Sequence, residues 1–453
     1  MANALVFAIA TGIGLLTDKY MLEATNFVEH YAVEMRPTHE QAEFIKSSMY
    51  AGAILGMVTM GPISDFLGRR ACLIGCSFIT LFGAGLSTFA WSVNALIAAR
   101  IITGTGMGGE YPLASSHSAE SAKNTGDGAR NVALLYLFGS GGGPVLCDLV
   151  TYVLDKSGME DGLIWRTIFA VGTLLSLLGL FLRIMTMEDS KKFVKAAKKE
   201  KGTRRKFLMS YWRPLLGTGV IWFLFDAVEY GLKQNDAAIF AADADAPYSE
   251  SVLMVFFTRL LVIPSLAVAP MLLNKFASKR VQMEGFIGCF VVNLILALAY
   301  QSLKAQRVLF GALYIVQLSM QSLPGVTTMA IPAEIYPSVV RGTGAAICAA
   351  AGKFGATFGS YYFTLLKEEG RINEIFWTVT CTASTAFLLT ACLTPYYDGE
   401  TIDEAETLAI EGRTKEAVRM LYSGPKGARD KYDTAESDSA SEFSGDEVSP
   451  AAE

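Results

Sequence analysis

Long apolar runs alternate with short polar intervals along most of the chain. Twelve runs approach the ~20 residues that cross a bilayer as a helix. They are 3–27, 45–65, 71–92, 94–118, 131–154, 165–187, 214–236, 250–274, 280–302, 307–331, 341–366 and 372–395. Apolarity sustained over that length predicts helices bathed in lipid rather than strands or half-buried soluble helices. The first run begins almost at Met1, yet it outlasts a signal core, is interrupted by "TDKY" and follows no basic region. It reads as a retained helix. From residue 396 the pattern gives way to an acidic, Ser-rich tail nearly free of aromatics past Tyr432, which is expected to be largely disordered.

Composition fits this reading: 52% of the 453 residues are apolar and only 18% charged. A polytopic, all-α membrane protein follows. The formal charge of −5 hides an asymmetry. Arg69 and Arg70 follow the second run, Lys279 and Arg280 the eighth, and "KKFVKAAKKEKGTRRK" (191–206) the sixth. All lie after even-numbered runs, so both termini are expected in the cytoplasm, with the plasma membrane favoured over an internal one. Topology accounts for the basic loop without nucleic acid. The seven cysteines (Cys72, Cys76, Cys147, Cys289, Cys348, Cys381, Cys392) show no metal-ligand spacing. With no P-loop and no nucleophile–base motif, neither an enzyme nor a cofactor nor a metal is expected.

The basic loop (188–213) divides the chain into six runs in 1–187 and six in 214–395, ahead of the tail (396–453). An echo supports two related halves. "GPISDFLGRR" (61–70) joins runs two and three, and "PMLLNKFASKR" (270–280) joins runs eight and nine. Asp65 aligns with Asn274, Gly68 with Ala277 and Arg70 with Lys279. Such a duplication places a site near the midplane between the halves. Within the first motif, Asp65, Arg69 and Arg70 are suited to clamp neighbouring helices, since charges at a membrane interior are normally paired.

This motif resembles the G-x-x-x-D-x-x-G-R-[KR] loop of the major facilitator superfamily. "GTGMGGEYPLASSHSAE" (104–120) then resembles the fourth-helix signature of that family's proton-coupled phosphate symporters, with Glu110 in place of Asp. "WFLFDAVEYGLKQN" (222–235) matches the branch's W-F-L-x-D-x-x-x-Y-G. "PAEIYPSVVRGTG" (332–344) resembles a broader sugar and phosphate carrier motif, and "AAAGKFGA" follows with Lys353 at the lysine of S-G-K. The resemblance implies the twelve-helix major facilitator fold and secondary transport by alternating access. Its expected cargo is inorganic phosphate moved with protons by a monomer. An organic phosphate, another organic anion, a sugar, or a nutrient receptor that does not turn over remain alternatives.

The residues make a coherent site. Trp222, Asp226 and Tyr230 recur every four residues, so they share one helix face. Lys353 stands among small residues and needs a counterion, for which Asp226 is the candidate. Together with Tyr111 these groups suit a tetrahedral anion. Asp18 and Glu110 are the candidates for proton coupling, as buried carboxyls whose charge is costly. Asp65, Arg69, Arg70, Arg100, Glu120, Glu334 and Arg341 are expected as cytoplasmic latches, and His117 as a packing residue. Departures from the family cluster near the cargo: "TDKYMLE" brings Lys19, Met21 and Glu23, Phe138 replaces a Gln, and Gly325 replaces an Asn. Those changes are expected to enlarge the cavity and make it less polar. Lys19 and Glu229 are placed to pair between helices one and seven.

Overall fold

The computed structural model describes residues 2–122, 124, 127–189, 193–194, 204–240 and 248–424. Among these residues there is no strand, and twelve long helical segments follow one another. They are α1 (Ala2–Ala24), α2 (His39–Leu67), α3 (Arg69–Thr88), α4 (Val93–Glu120), α5 (Gly128–Lys156) and α6 (Asp161–Thr186). The second six are α7 (Trp212–Phe240), α8 (Tyr248–Leu273), α9 (Ser278–Lys304), α10 (Arg307–Ile335), α11 (Arg341–Glu368) and α12 (Ile372–Leu393). Their ends fall within a few residues of the apolar runs. Among the described residues, nine are long and apolar enough to cross a membrane, and α1, α4 and α11 are outside those nine. The inner turns of α4 and α11 trade apolar bulk for charges and small residues.

The bundle is inverted relative to a water-soluble protein. Arg69, Arg100 and Arg183 are fully buried, while Phe66, Phe78, Leu174 and Leu298 stand more than half exposed on the outside. That distribution is stable only where the surroundings are apolar and each inner charge finds a partner. The protein is a multi-pass membrane protein.

Small residues set the helix spacing. A Cβ on Gly108 would overlap the Ala53 carbonyl, which locks α4 onto α2, and one on Gly359 would overlap the Ala227 carbonyl, which does the same for α11 and α7. The halves meet where α2 crosses α11 and where α5 packs on α8 and α10. Helix α2 begins with a capping box between Thr38 and Gln41. It ends at Gly68, whose φ of 90° turns the chain into α3. Helix α5 contains one wider turn at Leu137–Gly142, where Gly139 and Gly142 lie against α1 and Gly141 against α8.

One expectation fails here. The tail does not become irregular at residue 396. Gly399–Ile410 (α13) and Thr414–Tyr422 (α14) are helices packed on the end of the bundle that carries the basic loop, here the loop face. Ile402, Ala405, Ala409, Ala417 and Leu421 are buried at helical spacing, so acidic composition concealed an amphipathic pattern. Residues 425–453, like most of 190–203, lie outside the described residues.

Candidate functional site

Helix α7 supplies the centre of the site. Asp226 and Tyr230 sit one turn apart and face α11, where Lys353 donates 2.8 Å hydrogen bonds to the Asp226 carboxylate and to the Tyr230 hydroxyl. All three are buried. From α1, Lys19 donates to the same Tyr230 oxygen, also at 2.8 Å. Tyr111 of α4 lies beneath both ammonium groups, its ring centre 5.1 Å from Lys19 and 5.6 Å from Lys353. The Trp222 ring lies 6.1 Å from that of Tyr111, toward the loop face. Asp18, Lys19, Tyr111, Tyr230 and Lys353 line a closed space of only about 10 Å³.

The lysine–aspartate pair predicted from sequence is therefore present, while the Lys19–Glu229 pair is not. Glu229 is held instead by Lys233 and by Gln321, which donates at 2.6 Å. The expected enlargement of the cavity is also absent. Phe138 is half-exposed against Gly12 of α1 and is not among the residues lining the site. At Gly325, a Cβ would overlap the Tyr136 hydroxyl and the Phe225 ring. A phenol thus fills the space that a missing amide would leave.

The two candidate proton carriers come together, but in different states. Glu110 is gripped by Arg183 of α6 on both oxygens, at 2.6 Å on one of them, and Arg183 also donates to Ser77. A Cβ on Gly14 would overlap this pair, so α1 presses against it. Asp18, one turn further along α1, is buried beside Glu110 and Arg183, and neither of its oxygens has a hydrogen-bond partner among the described residues. The free carboxyl is Asp18 and the fixed one is Glu110. Arg183 was overlooked because an arginine near a helix end reads as topology.

The loop face is closed by a buried ionic network. Arg69 binds Asp65 at 2.7 Å, Glu120 at 3.3 Å and the Ser338 carbonyl at 2.8 Å. Asp65 accepts from the backbone N–H groups of Gly342 and Thr343, each at 3.0 Å, at the positive end of α11. Arg341 binds Glu120 at 3.1 Å and reaches Glu406 of α13 at 3.5 Å. Glu334 ties the halves in the other direction. It accepts from the Ala129 N–H at the start of α5, and from Ser278 and Tyr397.

Two proposed latches do not belong to this network. The Arg70 side chain is exposed, and the residue docks through its backbone N–H on Asp189 at 2.8 Å. Arg100 is buried at the opposite end, donating to the Met21 carbonyl and Ser87. Twenty residues of helix place it about 30 Å from Glu120. His117 is buried in α4, as a packing residue would be.

On the far side of the site, Arg259 of α8 binds Asp148 of α5 at 2.9 Å and Glu23 of α1 at 3.0 Å. This triad and Lys233 form the floor of a charged vestibule of about 240 Å³ that widens to the face opposite the loop face. A lone arginine inside the apolar run 250–274 was the signal that could have revealed it. Among the described residues, a small charged centre thus lies between the loop-face network and the Arg259 triad, with the vestibule beside the triad.

The sugar (and other) transporter family model matches residues 13–214 and 243–409. The chain is a major facilitator superfamily transporter. This transporter is 31% identical over 369 residues to inorganic phosphate transporter PT2 of Toxoplasma gondii, a match covering 78% of this chain and 64% of that one. The match thus spans a little under two thirds of that relative's length. To glycerophosphoinositol permease 1 of Candida albicans the transporter is 27% identical over 382 residues, 80% of this chain and 72% of the other. Its fold is that of the proton:xylose symporter XylE of E. coli bound to 6-bromo-6-deoxy-D-glucose. The TM-score is 0.73 at 18% identity, covering 87% of this chain and 96% of that structure.

Proposed function

We propose that this transporter is a proton-coupled symporter of inorganic phosphate. In this reading it works as a monomer in the plasma membrane with both termini in the cytoplasm, so the loop face is cytoplasmic and the vestibule extracellular. The single observation that carries the proposal is the cluster of Asp18, Lys19 and Lys353 around one small space, with Asp226 paired to Lys353 behind it.

Two cations and two anions cancel when the carrier is empty, which lets an unloaded centre cross the low-dielectric bundle. A monoanion bound there leaves one unbalanced negative charge. One proton on Asp18, the carboxyl without a partner, restores neutrality, so anion and proton are favourable only together. Glu110 and Arg183 supply a fixed field beside that proton. As the anion approaches, Asp226 releases Lys353, and Tyr111, Tyr230 and Trp222 supply neutral donors. Loading then weakens the Arg259 triad or the Arg69–Arg341 network in alternation, exposing the centre to one side at a time.

The phosphate assignment is supported by the two ammonium groups that share the Tyr230 hydroxyl and by the printed name of the Toxoplasma relative. A second reading, carriage of a larger organic phosphate, is supported by the name of the Candida relative. Labelled-phosphate uptake into liposomes containing the purified protein separates them. Uptake driven by an inward proton gradient and abolished in Lys353→Ala is expected. A folded wild type that takes up glycerophosphoinositol but not phosphate would overturn the first reading.

A further inference from the structure

We infer that Lys19 is a second cationic cargo ligand, which with Lys353 clamps a phosphate or phosphomonoester and rejects phosphodiesters. This rests on the phosphate reading above and adds to it a residue that sets selectivity. The observation is a buried cation with no carboxylate in hydrogen-bond contact among the described residues. Lys19 is only 7% exposed, yet among the described residues its ammonium has one hydrogen bond, to the neutral Tyr230 hydroxyl. An ammonium carries three donors.

Each carboxylate near Lys19 is engaged elsewhere or directed elsewhere. Asp226 pairs with Lys353, and Glu229 is bound by Lys233 and Gln321. Asp18 precedes Lys19 on the helix but lies beside Glu110 and Arg183. Glu23, one turn on, pairs with Arg259. The rings of Tyr111 and Tyr230, 5.1 and 5.2 Å away, offset part of the desolvation of a buried charge but do not replace a counterion. What Lys19 lacks, among the described residues, is an anion in direct contact.

The geometry fixes which anion fits. Lys19 and Lys353 each lie 2.8 Å from the same phenol oxygen, so the two ammonium groups are separated by less than twice that distance. One tetrahedral oxyanion can bridge them with two oxygens and present a third to the hydroxyls of Tyr111 and Tyr230. A phosphodiester has only two unsubstituted oxygens, so once both ammonium groups are bridged it has no third to offer the hydroxyls.

The test is equilibrium binding to the purified full chain by tryptophan fluorescence, with inorganic phosphate, methyl phosphate and dimethyl phosphate as probes. Wild type should bind the first two and at least roughly tenfold more weakly the third. Lys19→Met should weaken the first two by roughly tenfold or more, the size of one hydrogen bond to an ion, and leave dimethyl phosphate unchanged. Lys19→Arg, which keeps the charge, should restore most of the loss and guards against a folding defect. Unaltered phosphate and methyl phosphate binding in Lys19→Met, or equal binding of dimethyl phosphate by wild type, overturns the clamp and leaves phosphate symport standing. Lys19-dependent binding of methyl phosphate without any binding of inorganic phosphate overturns phosphate symport and leaves the clamp standing. If a folded wild type binds none of the three, both fall.

Discussion

Glu110 and Arg183 form a two-pronged ion pair between α4 and α6, and Asp18 of α1 lies beside that pair with no hydrogen bond of its own among the described residues. The two acids therefore predict different phenotypes. Asp18→Asn should fold normally and exchange phosphate across liposomes at equal pH, but lose acceleration by a proton gradient. Glu110→Gln strands a buried guanidinium and should destabilise the protein by about 3–5 kcal/mol. A thermal melt beside gradient-driven uptake distinguishes them. In the double variant with Arg183→Gln, the losses should be smaller than their sum.

Asp65 caps α11 from the other half of the protein, so its charge holds the loop face shut. Asp65→Asn keeps the shape but removes the charge that Arg69 and the α11 N-terminus share. The expected outcome is a population open at the loop face. Ala346→Cys reports it, because Ala346 is buried against Gly61 at that crossing. Site-resolved thiol labelling from the loop face should rise several-fold in the Asp65→Asn background. Unchanged labelling would remove Asp65 from the closure.

Arg259 keeps two acids of the first half beside a helix of the second. Arg259→Ala leaves Glu23 and Asp148 as neighbouring buried anions, and should cost about 3–5 kcal/mol in stability with a large loss of uptake. Asp148→Asn in the same background removes one of those anions and should recover part of the melting temperature. No recovery would mean that the triad does not act as a unit.

The sequence carried the architecture because length and apolarity alone specify a crossing helix. It also exposed Lys353, Asp226 and Tyr230, since a charge inside an apolar run demands a partner and a four-residue spacing supplies one. It concealed groups whose partners come from distant helices. Arg183 resembled a topological signal, Arg259 lay in a run with no acid at helical spacing, and the pairing of Glu229 was decided by Lys233 on its own helix. Phe138 lies inside the wide turn of α5, where regular helical spacing does not give the direction of a side chain. The helices α13 and α14 were masked by surface acids that say nothing about the buried face.

The central claim is that anion and proton move together through the Asp18–Lys353 centre. Its most direct test is to follow labelled phosphate and lumenal pH simultaneously in liposomes that contain the protein and a trapped pH dye. With equal pH on both sides, external phosphate should enter and acidify the lumen in wild type. In Asp18→Asn, gradient-driven entry and acidification should both be lost. Phosphate entry without acidification in wild type, or acidification that survives in Asp18→Asn, would contradict the account.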